Sequence, residues 1–234
     1  MTEILHSTRL SLNEVYIVST RDGSETLYSH EFASTYHSMY GAVSESRHVF
    51  IQQGLSTQSS LSKLHVLELG FGTGLNAFLA YLFSLKHKID LSYVGIEAFP
   101  IGLDVARKLD YPGYLAAKDQ SDVFLRMHEE ESFEMEGFSF TRSPGWDWFT
   151  NGVEFDCIFF DAFAPIAQPD LWTQDIFDAM FKVTAVGGCL ITYCAQGEVR
   201  RKMQKAGFEV ERVSGATGKR EMLRAVKKAG SKEL

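Results

Sequence analysis

The sequence predicts an α/β domain of the Rossmann-like kind, with a mostly parallel sheet and a small β-rich extension at its N-terminus. Three observations carry that prediction. His65–Phe83 reads as a short buried strand, a glycine loop and a helix with Leu75, Phe78, Leu79 and Leu82 on one face. Two later apolar runs, IDLSYVGIEAFP and EFDCIFFDAFAP, each end in an acid, Glu97 and Asp161. The chain then closes on two β-rich runs, FEVERVSG and KREMLRAVKK, joined by SGATGKR.

Bulk properties set the frame. At 234 residues, with 45% hydrophobic and 23% charged side chains, the chain suits one well-buried domain with a small appendage. Residues 1–60 form the extension and 61–234 the Rossmann-like domain. No apolar run approaches membrane-spanning length, and MTEILHSTRLSLNE lacks a basic-then-apolar signal pattern, so no membrane is expected and a cytoplasmic protein follows. Cys157, Cys189 and Cys194 form no C-x-x-C pair and read as reduced core thiols. The net charge of −7 is unevenly spread: from Glu198 onward 11 Lys and Arg face 5 acids. A basic C-terminal face on an acidic body can accept a phosphate backbone locally, although a solvated surface has the same composition.

Taken in order, EVYIVST and ETLYS flank the turn Arg21-Asp22-Gly23-Ser24 and predict a hairpin. The Tyr36–Gly41 cluster is too mixed for a core helix. Ser44 reads as the N-cap of a helix through Val49, Phe50 and Leu55, and a polar linker follows. Next comes the strand Val66–Leu69 and the loop Gly70, Gly72, Gly74. Glycines there let backbone N–H groups and a helix N-terminus approach a ligand. The spacing is not the dinucleotide G-x-G-x-x-G, which argues against an NAD oxidoreductase. Glu68-x-Gly70-x-Gly72-x-Gly74 resembles the loop that holds S-adenosylmethionine in Rossmann-like methyltransferases, with Phe71, Thr73 and Asn76 in the same segment. The bland reading is a turn that merely packs a helix on a sheet.

Glu97 ends the second strand, where a carboxylate can accept two hydrogen bonds from a ribose diol. Helix IGLDVARKL follows. Beyond it SDVFLRMHEE reads as helix and GFSFTR as strand, while Trp146 and Trp148 offer an aromatic surface for adenine or for the core. Phe155–Phe160 reads as a central parallel strand. It delivers Asp161-Ala162-Phe163-Ala164-Pro165 to the carboxyl edge of the sheet, where open α/β folds bind ligands. An acid placed there can hold the N–H groups of an amine that must aim its lone pair along an S–CH3 axis. Thr173 is a plausible N-cap for a helix with Ile176, Phe177, Met180 and Phe181. GGCLITYC is the fifth strand, and a basic helix ends at Gly207.

Three blocks extend the resemblance. GFGTGLN (Gly70–Asn76), FDAFAPIAQPDLWTQDIFDAM (Phe160–Met180) and GATGKREM (Gly215–Met222) resemble the MnmC-type tRNA 5-methylaminomethyl-2-thiouridine methyltransferase family, as does DGSETLYS…YHSMYGAVSESRHVFI before them. The resemblance implies the class I fold with a seven-stranded sheet and an N-terminal β extension. It implies S-adenosylmethionine as methyl donor, with no metal. The acceptor would be the amine of 5-aminomethyl(-2-thio)uridine in the anticodon loop of tRNA. Carried over by position, Gly70, Gly72 and Gly74 hold the methionine end and Glu97 the ribose. Asp161 lies between cofactor and amine, with Phe163, Pro165 and Trp172 around the substrate, and Lys219 and Arg220 meet anticodon phosphates.

Two departures stand beside it. No oxidase module follows within these 234 residues, so the aminomethyl-uridine would be made elsewhere. Where the family tends to place Gly-Asp near the adenine, this chain has Gly145-Trp146-Asp147. The alternatives are a methyltransferase for a small amine or protein side chain, and a non-catalytic S-adenosylmethionine-binding module. An aminopropyl transferase lacks its tandem acidic cluster here.

Overall fold

The computed structural model describes residues 15–145 and 152–230. Trp146, Asp147 and Trp148, the sequence's candidates near adenine, lie outside the described residues. The hairpin forms as its turn residues dictate: β1 (Val15–Ser19) pairs antiparallel with β2 (Glu25–Ser29), and the short β3 (Ser34–Thr35) adds to β2. In the turn, the Asp22 carboxylate accepts from Thr20 Oγ1 at 2.8 Å and from the Ser24 backbone N–H at 3.0 Å.

The same carboxylate accepts from the Ser44 N–H at 2.9 Å, and this corrects one expectation. Helix α1 (Ala42–Ser46) starts two residues before Ser44, with Gly41 at the N-cap, and Ser44 is inside it. A side chain 22 residues away supplies the capping oxygen, so the local Ser44 signal misplaces the helix start. The chain then continues as a π-helical turn, Arg47–Gln52, and Leu55 belongs to a separate 3-10 turn after Gly54.

The main sheet has β4 (Lys63–Leu69) at its centre, followed by α2 (Leu75–His87) and β5 (Asp90–Ile96). After β5 come α3 (Leu103–Leu109), α4 (Tyr111–Tyr114), α5 (Ser121–Glu129), β6 (Ser132–Met135) and β7 (Phe138–Ser143). Next are β8 (Phe155–Phe160), α6 (Gln174–Val183), β9 (Thr184–Thr192), α7 (Gly197–Ala206), β10 (Glu209–Ser214) and β11 (Glu221–Val226). The strand order is β10-β11-β9-β8-β4-β5-β7-β6. The expected strands and antiparallel closing pair are there. An eighth, β6, hairpins back on β7 at the edge, across the turn at Gly137.

Alternation along the central strands sorts the core into two faces. Val66, Tyr93, Cys157 and Phe159 face a cluster that includes Phe78 of α2, Phe124 of α5, and Val49, Phe50 and Leu55 of the N-terminal segment. Leu67, Leu69, Ile96, Ile158 and Phe160 face α6 and α7 through Phe177, Met180, Phe181 and Met203. The segment before residue 60 therefore shares a core with the sheet. Cys157, Cys189 and Cys194 are free and buried, as expected of core thiols. Among the described residues no helix is long and apolar enough to cross a membrane.

Register decides where the site lies. Leu69 of β4 sits opposite Ile96 of β5 and Phe160 of β8. Gly70, Glu97 and Asp161 are each the next residue, so three parallel strands deliver them side by side at one edge. Because β4 has β5 on one flank and β8 on the other, this edge is the switch point where the winding reverses and a crevice opens.

Candidate active site

A cleft of about 380 Å3 opens over this edge. Its floor is the loop Gly70–Thr73, with Asn76 from the start of α2. One end carries Glu97, Phe99 and Pro144, and the other Asp161, Phe163, Tyr193 and Lys219. Phe32, Tyr36 and Glu45 of the N-terminal extension form the opposite wall.

The glycines make room more than they donate. The N–H groups of Gly70 and Phe71 both go to Ile96 O at 3.1 Å, and that of Gly74 to Phe71 O at 2.9 Å. Gly72 N–H donates to Glu97 Oε2 at 2.8 Å. The expectation that these N–H groups reach a ligand is thus replaced by one of close approach. Gly70 has φ +90°, and a Cβ on it would lie 2.6 Å from the Asp161 carbonyl oxygen. Gly72 has φ +52°, and a Cβ there would meet the Tyr36 ring at 3.0 Å.

Glu97 accepts from Gly72 and, on its other oxygen, from the Phe99 N–H at 2.8 Å. Each carboxylate oxygen thus keeps capacity to accept a further hydrogen bond, and Glu97 lines the cleft. Withdrawal from water raises its pKa, while these two N–H donors and Arg142 oppose the rise.

Asp161 is the hub of a second network. Its N–H donates to Leu69 O at 2.9 Å, and its Oδ2 accepts from Asn76 Nδ2 at 2.8 Å. Asn76 Nδ2 also donates to Glu68 Oε1 at 2.8 Å, and Tyr93 OH donates to Glu68 Oε2 at 2.7 Å. Burial, reinforced by the Glu45 charge, pushes the Asp161 carboxyl up to about 7, against the pull of Asn76 and Lys219. Burial, with Asp161 nearby, holds Glu68 well above the usual carboxylate range.

The sequence-predicted residues divide by position. Gly70, Phe71, Gly72, Thr73, Asn76, Glu97, Asp161, Phe163 and Lys219 line the cleft. Glu68 is fully buried behind it and reaches it only through Asn76. Gly74 lies beneath the loop, packed toward His128 and Phe71. Trp172 is 2% exposed, against Phe160 and Phe177, and its indole N–H donates to Phe163 O at 2.8 Å. It holds the Asp161–Phe163 turn from below and does not face the cleft, because its large apolar surface is worth more in the core. Pro165 follows Ala164, the lining residue, and Arg220 lies exposed beyond the cleft.

Sequence reasoning misses Tyr36, Glu45 and Tyr193. Tyr193 stands just past β9, a strand-end position that the ligand-crevice rule covers. Tyr36 belongs to the mixed polar–aromatic cluster. Phe163 stacks on Phe32 at 4.4 Å and meets Tyr36 edge-on at 5.0 Å. Glu45 carries no local signal.

The mostly parallel sheet, with its antiparallel closing pair and a glycine-floored crevice at the switch point, is that of a class I S-adenosylmethionine-dependent methyltransferase. A family model described as an S-adenosyl-L-methionine-dependent methyltransferase matches residues 144–228. Within that class the chain is similar to the methyltransferase part of MnmC proteins. It is 30% identical over 220 residues to the tRNA 5-methylaminomethyl-2-thiouridine biosynthesis bifunctional protein MnmC of Pseudomonas putida (strain W619), covering 84% of this chain and 32% of that protein. The like-named protein of Delftia acidovorans (strain DSM 14801 / SPH-1) is 32% identical over 215 residues, covering 86% of this chain and 33% of that protein. The chain thus spans about a third of the length of the curated relatives it matches. Its fold is similar to the crystal structure of MnmC2 from Aquifex aeolicus, with a TM-score of 0.74 and 25% identity over 94% of this chain and 72% of that one.

Proposed function

We propose that this methyltransferase acts on the exocyclic amine of 5-aminomethyl(-2-thio)uridine at the tRNA wobble position, giving 5-methylaminomethyl(-2-thio)uridine. The observation that carries the reading is Asp161, a raised-pKa carboxyl facing the cleft one residue beyond the strand paired with the glycine-loop strand. The names of the relatives support the substrate.

The residues fit S-adenosylmethionine. Asn76 Oδ1 is a buried acceptor at the cleft without a partner among the described residues. Gly70, Gly72 and Asn76 would hold the methionine end and Glu97 the ribose. When bound, the cofactor supplies a methyl group on a sulfonium, which needs no metal and no covalent nucleophile.

The chain's part is positioning and proton management. An alkylamine is largely protonated at neutral pH and must lose a proton to expose its lone pair. Asp161, pushed up to about 7, takes one proton and keeps a hydrogen bond to the amine, aiming the lone pair. Asn76 fixes the carboxyl by donating to Oδ2. Phe163, Phe32 and Tyr36 wall the amine from water. Arg220, exposed and next in sequence to the cleft-lining Lys219, would meet anticodon phosphates.

The test is methyl transfer from labelled S-adenosylmethionine to tRNA from cells lacking this modification, with the nucleosides identified by mass. Label in 5-methylaminomethyl(-2-thio)uridine is expected. No label in any tRNA, with cofactor still bound tightly, points instead to a small-amine acceptor.

A further inference from the structure

The sequence resemblance sends Lys219 to the anticodon phosphates. The structure turns its ammonium inward, 2.8 Å from Glu45 Oε1 and 4.1 Å from the centroid of the Tyr193 ring. Glu45 is itself fastened, since its other oxygen accepts from the Ser38 N–H at 2.6 Å and its side chain is only 10% exposed. Tyr193 in turn donates its hydroxyl to Ala162 O at 2.9 Å, on the residue after Asp161. A lysine normally keeps a flexible stem and a hydrated head. Here the head is engaged, between Glu45 and the Tyr193 ring, while the side chain stays 36% exposed.

We infer that Glu45 and Lys219 are a positioning pair that sets the charge Asp161 experiences, so that a single free carboxylate faces the amine. The inference rests on Asp161 being the group that meets the amine. Three acidic side chains converge here: Asp161, Glu45 from α1 and Glu68 from β4. Tyr93 from β5 and Asn76 from α2 satisfy Glu68. Lys219, from the loop between β10 and β11, satisfies Glu45. Tyr193, after β9, adds a neutral phenol, and Glu97 after β5 is engaged with backbone donors. Among the described residues facing Asp161, Lys219 supplies the cation. Without it two carboxylates would share the pocket and hold the amine as its unreactive ammonium form. Glu45 and Lys219 are 174 residues apart, so the pair also ties the N-terminal extension to the closing hairpin across the cleft mouth.

The pair predicts opposite signs for its two halves. In protein labelled with carboxyl-13C aspartate, with Asp161 assigned by loss of its signal in Asp161→Asn, the titration midpoint is read without tRNA. Lys219→Met raises that midpoint by about one pH unit, and Glu45→Gln lowers it by a similar amount. Lys219→Arg restores it. The acid limb of kcat/KM moves in the same directions, with the KM for tRNA within about twofold of wild type. An unmoved midpoint in Lys219→Met overturns the proposal, as does a raised tRNA KM with a flatter salt dependence, the signature of a phosphate contact. Should Glu45→Gln fail to fold, Lys219→Met and Lys219→Arg decide the matter alone. If the midpoints move as stated but wild type methylates no tRNA, the substrate reading falls and the charge device stands.

Discussion

Gly70 and Asp161 meet backbone to backbone: a Cβ on the glycine would lie 2.6 Å from the aspartate's carbonyl oxygen. The glycine loop and the Asp161 turn are therefore one packed unit, joined also by the Asp161 N–H to Leu69 O bond at 2.9 Å. Moving either moves the other.

Gly70→Ala tests this contact. It forces a side chain into a left-handed backbone at φ +90° and against a main-chain oxygen, costing about 2–3 kcal/mol of stability. Cofactor affinity and methyl transfer fall together. Calorimetry with S-adenosylmethionine and thermal unfolding check it, and unchanged affinity would contradict the packed-unit account.

Asp161 links activity and stability to pH with opposite signs. Its carboxyl sits at about 7 against an ordinary 3.8, so the folded state binds its proton more tightly than the unfolded chain. That stability is fully present below the unfolded value and is lost as pH rises through about 7. Asp161→Asn should therefore melt several degrees above wild type at pH 8, with the gap closing near pH 4. Its turnover should fall at least about 100-fold, the usual worth of a positioned acid–base group. Equal melting temperatures at pH 8 would refute the buried-carboxyl account.

Glu97 accepts from two backbone donors, and under the proposed function it would also accept from a ribose diol. Glu97→Ala removes charge-assisted hydrogen bonds worth about 1.5–3 kcal/mol each, so S-adenosylmethionine binding weakens at least tenfold. Equilibrium dialysis measures it, and an affinity within twofold of wild type would remove Glu97 from the cofactor site.

Trp172→Phe keeps the aromatic packing on Phe160 and Phe177 but loses the indole bond to Phe163 O. Stability drops by about 1 kcal/mol. Because the turn carrying Asp161 loosens, kcat falls while cofactor affinity holds. A change confined to the KM for tRNA would instead place Trp172 at the substrate.

Much of the scaffold is legible in the chain because its signals are local. The glycine loop, the strand-end acids Glu97 and Asp161, and the turn at Asp22 and Gly23 each announce themselves within a few residues. The start of α1 does not, because its capping oxygen comes from Asp22. Edge strand β6 is only four residues, with Glu134 inside it, and pairs on one side only, so it lacks the apolar pattern of the buried strands.

By itself the sequence determined the winding of the sheet, the glycine loop after β4 and the acid at the end of β8, since periodicity and strand-end chemistry are written along the chain. Only the tertiary structure decided that Trp172 supports the site from below, that Glu68 acts through Asn76, and that Lys219 turns inward to Glu45. These depend on which side of a strand or loop a residue faces, and on partners as far as 174 positions away. Burial and charge pairing are properties of the packed molecule, and no stretch of chain read alone contains both halves of a contact.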